Sequence, residues 1–301
     1  MNLLKNWTLP IAMLIGALGY KVMDYLSFIT PYLIFTMLLL TFSKISLRDL
    51  RPRLSHLYLL CIEIVGAIAI YYILAPFDQI VAQGVMICII CPTATAAAVV
   101  TGKLGGDVAS ITTYTLLCNI AVAFVIPALF PIITNSSLNS QFSILNSQFL
   151  PAFLHILGRI FPLLICPFLL AQLIRLIAPK INSKLTSISG LAFYMWAIAL
   201  TIAMGMTVRS LIEEPTDITT LIYLSLGSLI ACLFQFFTGK AIGKSTNDTI
   251  ACGQSLGQKN TILAIWICSA YLNPVTALAP GLYVIWQNIF NSTQLYLARK
   301  K

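Results

Sequence analysis

The run Gly253-Gln-Ser-Leu-Gly-Gln-Lys-Asn-Thr261 places Gln254, Ser255, Gln258, Lys259 and Asn260 inside an otherwise apolar stretch. Hydrocarbon offers such groups no hydrogen-bond partners, so a helix carrying them cannot face lipid. A charge at membrane depth faces a bundle interior or a water-filled cavity. Gly253 and Gly257 flank the run and leave the backbone free to unwind. A second interruption lies in Cys91-Pro-Thr-Ala-Thr-Ala-Ala-Ala98. Pro92 removes a backbone donor and breaks or kinks its helix, and Thr93, Thr95 and the alanines let another backbone approach closely. Two broken helices at matched places are the sequence sign of a midplane binding site.

The elements that position these breaks follow from composition. The chain has 301 residues, 59% hydrophobic and 9% charged, with mean hydropathy +0.92. At about 20 residues per membrane helix, that length holds roughly ten helices and no separate soluble domain. The apolar runs lie at about 7–23, 28–47, 55–75, 79–102, 107–133, 150–177, 186–208, 218–239, 248–271 and 277–298. Met1 to Met23 reads as a retained first helix, since it has no A-x-A cleavage site.

The net charge of +9 does not indicate nucleic acid, because the basic residues cluster in alternate short loops. With the N-terminus inside, fourteen of the 18 basic residues are cytoplasmic, and the outside receives Lys21, Arg209 and several acids. By the positive-inside bias both termini are cytoplasmic. The uncharged, Asn- and Ser-rich segment 134–149 divides the chain into halves 1–133 and 150–301, with five helices each. An odd number per half forces opposite orientations, which gives an all-α membrane fold of two inverted five-helix repeats.

The eight cysteines show no metal-ligand spacing, Cys88 and Cys91 forming a lone CxxC, and they read as small buried residues. The two histidines, His56 and His155, are far apart. No Ser-Lys, paired-Asp or His-rich constellation suggests an enzyme.

Three motifs carry a family resemblance. Cys91-Pro92 through Thr95 with Gly106-Asp107-Val108-Ala109 resembles Cys-Pro-Gly-Gly-Thr and Gly-Asp-Val-Ala of the bile acid:sodium symporter family. Gly257-x-x-Asn260-Thr261-x-Leu263-Ala264 is similar to that family's Gly-Met-Gln-Asn-Ser-Gly-Leu-Ala. Asn273-Pro274-Val275 and Trp286-Gln287-Asn288 are similar to its Asn-Pro-Val and Trp-His-Asn. The resemblance implies ten helices, with the fourth and ninth unwound and crossing at mid-membrane. It implies alternating access, spans 3–5 and 8–10 moving against a panel of spans 1, 2, 6 and 7. It also implies that Thr95, Asn260 and Asn288 line the substrate cavity. Thr115 and Asn119, sharing a face of the fifth span beside the crossover, read as cavity-lining too, and Thr93, Thr261 and Gln287 are taken with them as substrate-binding candidates.

The sodium positions depart from the family. Ala97 and Ala98 stand where it has Ser-Asn, Ile111 replaces a Ser although Thr115 four residues later matches, and Ser255 replaces its ninth-helix Glu. Lys259 stands at a sodium-site Gln, next to Gln258, and Leu60 at another. Sodium needs several oxygen ligands, which alanine and isoleucine lack. An ammonium about 4 Å from sodium repels it by about 4 kcal/mol at an effective dielectric near 20. The expectation is a carrier of a small organic anion that uses no cofactor and does not bind sodium in the family's manner. Lys259 would replace the sodium charge, with Glu63 as its partner. The alternatives are a proton-coupled carrier or facilitator using that pair, and a non-transporting membrane sensor.

Among the other polar residues, Asp107 is expected to cap the fifth helix. His155 and Arg159 share a helix face near the outer end, suited to interface anchoring or to an anion at the mouth. Met195, Trp196, Met204 and Met206 read as packing and lipid contacts. Trp7, Tyr20, Tyr71, Tyr72, Tyr271 and Tyr296 fit an interfacial aromatic belt.

Overall fold

The computed structural model describes residues 2–133 and 149–299. The expected linker therefore lies almost wholly outside the described residues, as do Lys300 and Lys301. Among the described residues the chain is all-α, with fourteen α-helices. They are α1 (Asn2–Leu18), α2 (Tyr20–Tyr25), α3 (Thr30–Phe42), α4 (Leu54–Leu74), α5 (Gln79–Ile90), α6 (Ala97–Lys103) and α7 (Val108–Ile133). The second half contributes α8 (Phe149–Ile177), α9 (Pro179–Ser187), α10 (Leu191–Glu213), α11 (Ile218–Ser245), α12 (Thr249–Gly257), α13 (Thr261–Tyr271) and α14 (Leu278–Arg299).

Five of these, α4, α7, α8, α10 and α11, are long and apolar enough to cross a membrane unaided. Of the remaining expected spans, the first, fourth and ninth are divided and the second is short, while the tenth, α14, is a single helix of 22 residues that falls outside this apolar set. The first divides at Gly19 into α1 and α2. The second ends at Phe42 because side chains of α8 take up the carbonyls beyond it: Arg175 donates to the Ser43 carbonyl at 2.8 Å and Gln172 to that of Ile45 at 2.9 Å. The seventh starts at Leu191, since residues 179–187 form the separate helix α9.

Packing sorts the helices into two groups. In one, α10 lies against α1, α2 and α3, and α3 against α8; in the other, α11 lies against α12, α5 and α14, and α4 against α5. Between them, α7 packs on α8. The tightest hairpin, α11 with α12, is made by glycine. A Cβ on Gly239 would stand 2.4 Å from the Cys252 carbonyl oxygen, and one on Gly257 would stand 2.3 Å from the Phe236 ring. Such close approach is how membrane helices gain van der Waals contact without a hydrophobic driving force.

That packing corrects one expectation. Gly253 and Gly257 do not unwind the chain; both lie inside α12, and Gly105 is the only described glycine with positive φ. Their lack of a side chain serves contact with α11, and the break falls after them. The aromatic belt is also corrected in part. Tyr72 and Tyr296 are exposed, but Tyr71 and Tyr271 are buried, where Tyr71 donates to the Ile133 carbonyl at 3.4 Å and Tyr271 packs on Phe130 and Trp266.

Candidate functional site

Both sequence breaks are real interruptions, and they meet. Residues 91–96 separate α5 from α6, and Gln258 to Asn260 separate α12 from α13. Unwinding leaves backbone groups that need partners at membrane depth. Each break supplies them to the other: the Ala94 amide donates to the Gln258 carbonyl, and the Asn260 amide to the Pro92 carbonyl, both at 2.8 Å. Thr93 and Lys259 thereby form one antiparallel β-bridge. The Thr93 hydroxyl donates to the Ser255 carbonyl at 2.7 Å, the Cys91 thiol to the Asn260 carbonyl at 3.2 Å, and the Lys259 amide to Gln287 Oε1 at 2.9 Å. The crossover is thus pinned from α14 as well.

Lys259 projects from this bridge into the protein with 1% of its side chain exposed. Its Nζ lies 2.8 Å from Oε1 of Glu63, whose side chain is fully buried. Glu63 arrives there on the single buried face of α4, formed by His56, Leu59, Glu63, Ala67 and Tyr71 at helical spacing. The adjacent helix α7 completes the carboxylate shell. The buried Tyr114 hydroxyl donates to Glu63 Oε2 at 2.5 Å, and the Cys118 thiol to Oε1 at 3.2 Å. The carboxylate is therefore well satisfied. The ammonium is not: beyond its contact with Glu63, Nζ finds no well-directed acceptor among the described residues.

The other expected site residues divide by what they touch. Ser255, Gln258 and Gln287 join Lys259 at the crossover, the first two through their carbonyls. The Gln258 side-chain oxygen is buried without a hydrogen-bond partner among the described residues. Asn260 caps α13, its Oδ1 accepting from the Leu263 amide at 3.3 Å. Thr261 is buried in the first turn of α13, and Thr95 is half-buried within the first break. Thr115, Asn119 and Asn288 direct hydrogen bonds back to their own helices, at Ile111, Thr115 and Val284. Asn119 Oδ1 is left buried and without a partner among the described residues. Ala97 forms a small apolar cluster with Ile111 and Ala251, and Ala98 packs against it. His155 and Arg159 lie exposed on α8, away from the crossover.

Tyr114 and Cys118 were not expected at the site. Their spacing of four on one helix face carried a usable signal, but only contact with Glu63 gives it meaning. At one end of the bundle a second polar cluster was also not expected. There Arg53, at the N-cap of α4, bridges Asp107 Oδ2 at 2.6 Å and Asp248 Oδ2 at 3.0 Å. Asp107 caps α7 as expected, its Oδ1 accepting from the amides of Ala109 at 2.9 Å and Ser110 at 3.1 Å.

A helical membrane bundle whose two interrupted helices pair through their unwound segments, beside a buried charge pair, is the architecture of a secondary transporter. Its lineage is narrower. The chain matches the SBF-like CPA transporter family (DUF4137) over residues 27–299 and belongs to that family, which is of the bile acid:sodium symporter type. No curated protein matches the chain.

Proposed function

We propose that this protein carries a small organic anion by alternating access, with Lys259 supplying the positive charge that sodium provides elsewhere in the wider family. The observation that supports this is the Lys259–Glu63 pair, 2.8 Å apart and buried at the junction of the two breaks. Attraction at that distance is about 6 kcal/mol at an effective dielectric near 20. Desolvating two ions costs several kcal/mol each, so net stability does not account for the pair. A functional charge does, and the N-terminus of α13 adds partial positive charge beside it.

The sodium positions do not fit the ion. Ala97, Ala98, Ile111 and Ala251 give an apolar contact where oxygen ligands are needed, and no transport step is assigned to sodium. The wider arrangement we propose is ten spans in two inverted repeats, with α5–α6 and α12–α13 as the broken spans and both termini in the cytoplasm of a bacterial inner membrane.

The pair also favours a second reading, in which a proton moves with the anion. The titratable groups around the pair include Tyr114 and Cys118 of α7, Cys88 of α5 and Cys91 at its C-terminal end, and Tyr283 of α14. Uptake of labelled organic anions (a bile acid, pantoate, pyruvate) into liposomes, under separate sodium and pH gradients, tests both readings. Uptake indifferent to sodium is expected, and pH-driven uptake selects proton coupling. Sodium-driven uptake overturns the assignment of Lys259, as does full pH-dependent transport by a Lys259→Ala protein.

A further inference from the structure

The cluster at the start of α12 breaks a local rule. Asp248 occupies the N-cap of α12, where an aspartate ordinarily accepts from its own helix amides. Here it makes no such bond. Its Oδ2 instead accepts from Arg53 on α4, at 3.0 Å, and from the hydroxyl of Ser110 on α7. The residue before it, Asn247, is the only described non-glycine residue with positive φ, at 55°. Asn tolerates this left-handed conformation, and here it ends α11: the Asp248 amide donates back to the Gly243 carbonyl at 2.8 Å, so the end of α11 sets where Asp248 stands.

The cluster continues as a directed chain. The Arg53 amide can only donate, and it donates to His56 Nδ1 at 3.3 Å. Neutral His56 therefore carries its proton on Nε2, 3.0 Å from Ser110 Oγ, and Ser110 in turn donates to Asp248. Arg53 also reaches Asp107, so the N-terminal ends of α4, α7 and α12 are tied at one point.

The same three helices meet again at the charge pair. Glu63 is ten residues beyond Arg53, about 15 Å along α4, and it contacts Tyr114 and Cys118 of α7 and Lys259 immediately after α12. Helix α12 has nine residues, too few to stand alone. It is held by one ionic cluster at each end, with α11 along its glycine-lined side.

We propose that Arg53, Asp107, Asp248, Ser110 and His56 act as positioning residues. They form a latch that fixes the height of α12 and thereby delivers Lys259 to Glu63. This rests on the proposed role of Lys259 only for its consequence in transport; the mechanical coupling stands apart and is tested without substrate.

The test uses the full-length protein in liposomes, treated with N-ethylmaleimide, with alkylation read at each cysteine by peptide mass spectrometry. Cys252, one turn into α12, reports the latch end; Cys91, bonded to the Asn260 carbonyl, reports the crossover. In Asp248→Asn, labelling of both thiols is expected to rise about tenfold or more, the factor that about 1.4 kcal/mol of lost local stability produces. Labelling that rises only at Cys252 means a local cap, and labelling unchanged at both means no latch; either overturns the proposal. Ser110→Ala keeps every charge and is expected to raise both thiols by a smaller factor. It is read by the same criteria if Asp248→Asn fails to fold. Coupling is reciprocal, so Glu63→Gln must raise labelling at Cys252, and an unchanged Cys252 there also overturns it.

Discussion

Lys259 and Glu63 set the chemistry at the residue scale, and their substitutions are unequal. Removing one partner strands a buried charge, which costs about 3–5 kcal/mol, whereas replacing both by apolar groups of similar volume is close to neutral. Lys259→Met alone is therefore expected to lower thermal stability in detergent sharply, and Lys259→Met with Glu63→Leu to recover most of the loss. A double variant as unstable as the sum of the two singles would show that the pair does not interact. Tyr114→Phe deletes a hydrogen bond to a carboxylate with little change of shape, at a cost of about 1.5–3 kcal/mol. The stability difference between Tyr114→Phe and its parent should shrink when Glu63 is already glutamine, whose amide oxygen still accepts, and vanish when it is leucine.

Asp107 adds a pH dependence of known sign. Desolvation, the largest influence, pushes its carboxyl up, but the Ser110 amide, Arg53 and the Ala109 amide together hold it below the ordinary carboxylate range. A lowered folded-state value means a contribution to stability that is present above the usual carboxylate titration range. That contribution is lost as pH falls through the folded-state value. Asp107→Asn should flatten the acid limb of a stability–pH profile; an unchanged limb would remove Asp107 as its source.

At the scale of elements, α12 is defined by its neighbours more than by its own sequence. Nine residues cannot sustain a helix alone, and the α11–α12 hairpin substitutes packing for length. A methyl group added at Gly239 meets the backbone of α12, and one at Gly257 meets the Phe236 ring. Gly239→Ala and Gly257→Ala are each expected to cost about 1–3 kcal/mol, the range for overpacking. Gly66→Ala is the control: nothing stands within 4 Å of its Cβ position, and alanine is the better helix former by about 1 kcal/mol. A thermal-unfolding series in which all three behave alike would refute the close-packing account.

At the scale of the whole molecule, the expected orientation makes the Arg53 cluster cytoplasmic and the loop near Asp78 external. Cysteines introduced at exposed positions of residues 46–51 should react with an impermeant thiol reagent only from the inside, and those at residues 75–78 only from the outside. The opposite pattern would invert the bundle without altering any internal contact. The two packing groups described above meet along α7 and α8, and also where α10 lies on α13 and α14 and α3 lies on α13.

The amino-acid sequence by itself determined the membrane class, because 59% hydrophobic residues leave too little polar surface for a soluble protein of this length. It also located both helix breaks, since Pro92 and the Gln258-Lys259-Asn260 run violate the local rules for a lipid-embedded helix. It put Glu63 and Lys259 together because a buried charge demands an opposite one. What Gly253 and Gly257 do was legible only in three dimensions, because glycine serves unwinding and close packing equally well and the neighbour decides which. The same holds for Tyr114, Cys118 and the diverted Asp248. Nothing along the chain distinguishes a tyrosine in a core from one on a carboxylate, or a capping aspartate from one that reaches across to two other helices. Such roles depend on contacts between residues as far as 195 positions apart, and those exist only once the helices have packed.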